Sequence, residues 1–163
     1  MIVLNTKNIY SKILCAYELI NYRPMLLDLY SFGFRRSGIP SDGSGHGGGF
    51  VFDCRCLPNP GKFEEYQALT GLDTSVQEWL EVKKETAMFL NHIKGTLELS
   101  VKRYIARDFE RLMVNCGCTG GQHRSVYVAE KLHKHFAGYP GLSVQLTHTE
   151  QSFWPTSTQV QER

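Results

Sequence analysis

The sequence predicts an α/β fold in which a mostly parallel sheet is flanked by helices. The segment 111–148 follows the order strand, glycine-rich turn, helix, strand, which is a βαβ unit. The apolar runs "MLLDLYSFGF" (25–34) and "GFVFDCRCL" (49–57) have the length of strands. A chain of 163 residues with 42% hydrophobic content can bury one ordinary core. We therefore expect a single α/β domain.

This domain is expected to occupy residues 25–150. Residues 1–24 precede it as a lead-in or linker helix, because apolar residues recur there at helical spacing until a proline ends the pattern. Residues 151–163 are predicted to form a polar tail, in which Phe153 and Trp154 are the residues able to pack back on the domain.

Two strands open the domain, and a glycine-rich loop joins them. Residues 25–34 are predicted to form a buried strand. Residues 49–57 alternate apolar and polar side chains, so a strand there would place Cys54 and Cys56 on one face. The segment "SGIPSDGSGHGGG" between them has six glycines in 13 residues and is either a lid or a plain linker. The sequence has no GxxxxGK[ST] phosphate loop.

Helical spacing dominates the middle of the chain. Apolar residues predict a helix over 75–95 that ends near Gly95, followed by a second helix over 96–110. The remaining elements are, in order, a strand over 111–118, a helix over 125–138 and a strand over 142–148.

Charge and composition exclude several classes of protein. Lys and Arg number 18 against 16 Asp and Glu, so the chain lacks the dense positive field of a dedicated nucleic-acid binder, and an anion site would be local. No apolar run reaches the length of a membrane span, and we expect a cytoplasmic protein without a membrane partner. Five cysteines, an odd number, favour reduced thiols over a disulfide framework.

Two Cys-x-Cys pairs allow a zinc site as an alternative. Cys54 with Cys56 and Cys116 with Cys118 would supply four thiolates, but neither pair has the Cys-x-x-Cys spacing of a zinc knuckle. We therefore expect neither a metal nor a cofactor.

The segment "NCGCTGGQHRSV" (115–126) carries the strongest functional signal. Its glycines allow a tight turn in which several backbone N–H groups converge, and the following helix N-terminus favours an anion. Arg124 can clamp phosphate oxygens, and the hydroxyls of Thr119 and Ser125 can donate further hydrogen bonds. The segment is predicted to bind phosphate at the carboxyl end of a strand, where open α/β sheets bind ligands. The alternative is a turn with only a structural role.

The same segment also has the spacing of the cysteine-dependent phosphatases. In such an enzyme the thiolate of Cys118 would attack a phosphorus atom held by Arg124, and a separate aspartate would protonate the leaving group. Asp42, Asp53 and Asp73 are the candidate acids. The residue before the cysteine is Gly117, where those enzymes resemble one another in having His. A binding loop with an inert thiol is the alternative.

Four motifs together resemble the C-terminal domain of the RapZ family of RNase adapter proteins. They are "SFGFRRSGIP" (31–40), "FVFDCRCLPNP" (50–60), "LTGLD" (69–73) and "GCTGGQHRSVYVAEKL" (117–132), and the similarity covers roughly residues 25–150. The resemblance implies a phosphofructokinase-like α/β fold that senses glucosamine 6-phosphate. In some members this domain binds a small RNA. The family's N-terminal P-loop domain, which binds nucleotide, has no counterpart in this sequence.

The resemblance also implies a set of ligand-binding residues. They are Asp53, Arg55, Asn59, Cys118, Thr119, Gly120, Gly121, His123 and Arg124, to which Ser125 is added from the chemistry of the loop. In this reading Asp53 accepts a hydrogen bond from a sugar hydroxyl or ammonium group while the loop and Arg124 hold the phosphate. No residue is expected to be catalytic, unless Cys118 and Arg124 form a phosphatase site.

The sequence departs from the family at three positions that bear on its partners. Relatives tend to have Lys where this chain has Gln122, His where it has Gly61, and Arg where it has Gln67. Each change removes a positive charge or a hydrogen-bond donor, which weakens the case for RNA binding. The expected partner is a small phosphorylated metabolite. RNA, a protein and a second copy of the chain are the alternatives.

Overall fold

A computed structural model describes residues 23–45 and 48–155, so the predicted lead-in helix and the end of the predicted tail lie outside the described residues. Four strands form one sheet with the order β2-β3-β1-β4, and every neighbouring pair is parallel. The strands are β1 (Met25–Gly33), β2 (Gly49–Asp53), β3 (Arg111–Cys118) and β4 (Leu142–His148). The predicted α/β fold with a parallel sheet is confirmed.

Helices connect the strands and pack on the sheet. They are α1 (Glu64–Gln67), α2 (Thr74–Glu81), α3 (Lys84–Ile105) and α4 (Arg124–Phe136), with short 3₁₀ turns at Cys54–Cys56, Pro60–Lys62 and Gln151–Phe153. The β3-α4-β4 unit is the βαβ unit expected from the sequence. Because parallel strands all end at one edge of the sheet, the residues that follow β1, β2 and β3 meet there. Gly33 lies opposite Cys118, and Asp53 lies opposite Gly117.

The core lies between the sheet and these helices. Leu27 and Leu29 of β1, Val114 of β3 and Leu132 of α4 are fully buried in one cluster. The helices α2 and α3 contribute Val76, Leu80, Leu90, Ile93, Leu97 and Val101. Each such side chain contributes about 1.5–3 kcal/mol when it leaves water, so this cluster holds α4 firmly on the sheet.

Strand β2 is shorter than the sequence predicts. It ends at Asp53, and Cys54–Cys56 form a 3₁₀ turn instead of continuing the strand to residue 57. The carboxylate of Asp53 accepts a hydrogen bond from the backbone N–H of Arg55 at 2.9 Å, which caps the turn and stops the ladder. As a result Cys54 is buried while Cys56 is exposed, and the two thiols do not share a face.

The long helical region breaks earlier than Gly95. The helix α2 ends at Glu81, Lys83 is extended, and α3 then runs from Lys84 through Gly95 without interruption. Buried apolar residues recur every three or four positions across Gly95, so packing outweighs the low helix propensity of glycine. The predicted boundary at residue 95 is wrong for this reason.

No helix in the described ranges is both long and apolar enough to cross a membrane. Across the same ranges no three His, Cys, Asp or Glu residues are grouped so that they could hold a metal ion. Cys54, Cys56, Cys116 and Cys118 are free thiols, and burial raises the pKa of Cys54.

Candidate functional site

The loop between β3 and α4 lies at the carboxyl edge of the sheet, packed tightly against the end of β1. The backbone N–H groups of Phe34 and Arg35 donate to the carbonyls of Cys118 and Thr119, at 2.9 and 3.1 Å. A Cβ added to Gly121 would lie 2.8 Å from the nitrogen of Gly33, and the φ angle of Gly121 is +69°. Glycine is required at this position on both counts, for space and for a left-handed backbone.

Arg124 occupies the first turn of α4 and is only 6% exposed. Its Nη1 donates to the carbonyls of Arg55 and Leu57 at 3.0 and 3.1 Å, and its Nη2 lies 3.5 Å from the hydroxyl of Thr119. The guanidinium therefore joins the turn after β2 to the loop after β3. Both hydrogens of Nη1 are used in this way and Nε is buried without a partner, while Nη2 keeps donor capacity beside the cavities that Arg124 lines.

Two neighbouring side chains attach the loop to the segment before α2. His123 donates from Nε2 to the carbonyl of Tyr66 at 2.8 Å. The amide nitrogen of Gln122 donates to the carbonyls of Gln67 and Leu69 at 2.8 and 2.7 Å. Gln122, one of the departures from the family pattern, therefore bonds to backbone in this chain.

Two adjoining cavities open at this edge. The larger has a volume of about 480 Å³ and the smaller about 170 Å³. The side chains or backbone of Asn59, Thr119 and Arg124 line both. The larger cavity is further lined by Arg55, Cys56, Leu57, Pro58, Lys62 and Glu85, and the smaller by Gly61, Cys118, Gly120, Gln122 and His123.

Seven of the ten residues predicted from the sequence line one or both cavities. They are Arg55, Asn59, Cys118, Thr119, Gly120, His123 and Arg124. Ser125 does not line either: it is fully buried, and its hydroxyl lies 3.1 Å from the sulfur of Cys118. Gly121 is buried under Glu150 and Gly33. Asp53 is also outside the lining residues.

Asp53 and Arg55 form a local ion pair. The Nη2 of Arg55 lies 2.5 Å from Oδ2 of Asp53, and its Nε donates to both carboxylate oxygens. These hydrogen bonds lower the pKa of Asp53. The guanidinium of Arg55 also stacks over the ring of Phe34 at 4.1 Å. The ion pair and the ring fix the direction of Arg55, and three donor groups of Arg55 bind the carboxylate of Asp53.

Lys62 and Glu85 are cavity residues that the sequence reasoning missed. Lys62 comes directly after the "LPNPG" motif, and this position could have identified it as a site residue. Glu85 stands in the first turn of α3, remote in sequence from every motif, and no local pattern marks it. The larger cavity therefore has three cationic side chains, Arg55, Lys62 and Arg124, and one carboxylate.

Residues near the end of the described range contact the loop between β3 and α4 and the end of β1. Glu150 is 1% exposed, and its carboxylate accepts hydrogen bonds from the N–H groups of Gly33 and Ser37 at 3.2 and 3.1 Å. The indole of Trp154 donates to the carbonyl of Gly121 at 3.1 Å. Phe153 stays 63% exposed. Of the two aromatic residues in the predicted tail, Trp154 thus contacts the candidate site.

Burial lowers the pKa of His123, which makes the fold sensitive to acid. Below an unfolded pKa of 6.5 the unfolded chain takes up a proton that the folded chain resists, so stability falls as the pH drops toward the lower folded pKa. We expect His123→Gln, which keeps an N–H donor for Tyr66, to lose less stability on acidification than the wild type. Urea unfolding at about pH 7.5 and about pH 5 measures the difference. An equal loss in both proteins would contradict the expectation.

Comparison with known proteins agrees with this arrangement. The sequence profile described as the RapZ C-terminal domain matches residues 25–152. A nucleotide-binding protein of Lactobacillus helveticus is 37% identical over 150 residues, which cover 91% of this chain and 48% of the relative. One from Geobacter sulfurreducens is 41% identical over 129 residues, covering 79% of this chain and 43% of the relative. The chain thus spans about half the length of these curated relatives.

Proposed function

Because the chain belongs to the RapZ C-terminal domain family, we propose that it binds a small phosphorylated metabolite, an amino-sugar phosphate such as glucosamine 6-phosphate. The domain acts as a regulatory sensor in which no bond is made or broken. The observation that carries the proposal is the cavity pair at the N-terminus of α4, where Thr119, Gly120 and Arg124 surround space for an anion.

The chemistry of the two cavities suits a phosphate monoester. The smaller cavity lies at the glycine loop before the N-terminus of α4, and Thr119 and Arg124 line it, so a hydroxyl and a guanidinium can donate to phosphate oxygens there. Arg55 and Lys62 add positive charge in the larger cavity. Together they form a local cationic site on a chain of net charge +2, as an anion sensor requires.

Gly120→Ala tests the position of the phosphate with little risk to the fold. A Cβ at Gly120 meets no atom within 4 Å, yet Gly120 lines the smaller cavity. We expect the added methyl to weaken binding of glucosamine 6-phosphate at least about fivefold, about 1 kcal/mol, because it takes the place of a phosphate oxygen. Calorimetric titration with glucosamine 6-phosphate, inorganic phosphate and glucosamine measures the change.

The matched control is Gly43→Ala, since Gly43 also has open space at its Cβ but lies outside both cavities. It should bind like the wild type. If Gly120→Ala and Gly43→Ala bind equally well, the phosphate does not lie against the glycine loop. If the wild type gives no saturable heat with either phosphate at millimolar concentration, the sensor proposal fails.

One contact favours a second candidate function, cysteine-dependent phosphatase activity. The sulfur of Cys118 lies 3.1 Å from the hydroxyl of Ser125, which can donate to a thiolate and stabilise it. The thiolate would attack phosphorus as the P–O bond to the leaving group breaks, and the departing oxygen would take a proton from an aspartate or from water to give the alcohol. Water would then hydrolyse the phosphocysteine to inorganic phosphate and the free cysteine. Release of phosphate from a generic aryl phosphate by the wild type, lost in Cys118→Ser, would support this candidate. No release above the rate of Cys118→Ser would exclude it for that substrate class.

A further inference from the structure

The residues that line the smaller cavity differ in chemistry from those that line the larger one. Gly120, Cys118 and His123 line only the smaller one, whereas Lys62 and Glu85 line only the larger one. Asn59, Thr119 and Arg124 lie between them as shared walls. A ligand whose phosphate rests at the glycine loop and whose other end reaches the larger cavity would pass Arg124 on the way toward Glu85.

Among the described residues that line the two cavities, Glu85 is the one with a carboxylate. It is exposed, and within the described part of the chain its carboxylate forms no hydrogen bond or ion pair. Asp53, in contrast, lies outside both linings, and its carboxylate already accepts hydrogen bonds from the backbone and side chain of Arg55. Glu85 is thus the carboxylate at the cavities whose full acceptor capacity is left for a ligand.

Resting on the proposed function, we infer that Glu85, and not Asp53, is the specificity-determining carboxylate, and that it selects phosphate monoesters that carry an ammonium group. The anionic end of such a ligand is bound by the loop and Arg124. The cationic end donates charge-assisted hydrogen bonds to Glu85. For a phosphate monoester without an ammonium group, the same carboxylate adds negative charge near an anion and receives no charge-assisted hydrogen bond in return.

Titrating Glu85→Gln with glucosamine 6-phosphate and with glucose 6-phosphate separates attraction of the ammonium group from repulsion of the phosphate. The variant should bind glucosamine 6-phosphate about tenfold more weakly than the wild type, which corresponds to about 1.4 kcal/mol. The same variant should bind glucose 6-phosphate as tightly as the wild type or a few-fold more tightly, because a negative charge is removed. Selectivity for the ammonium group would then be lost.

Asp53→Asn is the control, because it tests the alternative that Asp53 determines the selectivity. It should change the affinity for the two sugar phosphates by a similar factor, since Asp53 acts on the ligand only through Arg55. The inference is overturned if Asp53→Asn loses the selectivity, or if Glu85→Gln shifts both affinities equally. A wild type that binds both sugar phosphates alike would also overturn it while leaving the phosphate site standing. A wild type that binds neither, nor inorganic phosphate, overturns the proposed function as well.

Discussion

Arg124→Ala is expected to weaken binding of glucosamine 6-phosphate by about 10- to 100-fold, because a hydrogen bond to a charged group contributes about 1.5–3 kcal/mol. Arg124 lines both cavities, and its Nη2 makes only a long contact of 3.5 Å with the hydroxyl of Thr119. The same substitution removes the donor for the carbonyls of Arg55 and Leu57. We therefore also expect the free energy of unfolding to fall by about 1–3 kcal/mol, the cost of unpaired buried acceptors.

Two further variants separate charge from geometry at this position. Arg124→Lys keeps the positive charge but cannot donate to two carbonyls and a ligand from one planar group, so it should restore only part of the affinity. Lys62→Ala removes an exposed cation from the larger cavity and should cost less than Arg124→Ala. Calorimetry gives the affinities, and urea unfolding gives the stabilities. Affinity in Arg124→Ala within twofold of the wild type would remove Arg124 from the binding site.

Gly71→Ala is expected to destabilise the fold by about 3 kcal/mol, because overpacking against rigid backbone has few ways to relax. A Cβ at Gly71 would overlap the carbonyl oxygen of His123 and lie 2.5 Å from the nitrogen of Tyr127. The N–H of Gly71 donates to the carbonyl of Gln122 at 2.9 Å. The methyl group would push the turn before α2 away from the loop, so ligand affinity should fall together with stability.

Gly95→Ala is the matched control for that substitution. Gly95 lies inside α3, and a Cβ there meets no atom within 4 Å. Alanine should stabilise the helix by about 0.5–1 kcal/mol through its higher helix propensity. Thermal and urea unfolding of the two variants beside the wild type measure both effects. Equal stability of Gly71→Ala and the wild type would show that the turn shifts without cost.

The sheet and the loop were predictable because their signals are local. Run length identifies β1, β3 and β4, and the glycines of "GCTGGQHRS" identify the turn before α4. The end of β2 was missed because a single side chain, the carboxylate of Asp53, caps the 3₁₀ turn after it. The boundary at Gly95 was wrong because burial on both sides of that glycine keeps α3 helical.

The sequence alone does not predict where each side chain of the site points. Ser125 belongs to the loop motif, yet it follows the helix into the core and contacts Cys118. Glu85 enters the larger cavity from a helix that follows a different part of the chain. Such placements depend on how distant elements pack, and a motif specifies only the backbone turn that it forms.

The bond from Arg124 to the carbonyl of Leu57 joins residues 67 positions apart in the chain. The cavities consequently exist only when the distant segments around residues 57, 66 and 119 are folded together, and the unfolded chain has no equivalent of them. Under the proposed function, ligand binding is therefore coupled to the folding equilibrium. At a free ligand concentration of 100 times Kd, this coupling adds about 2.7 kcal/mol to the free energy of unfolding. The abundance of the folded domain in a cell would then follow the supply of the proposed metabolite.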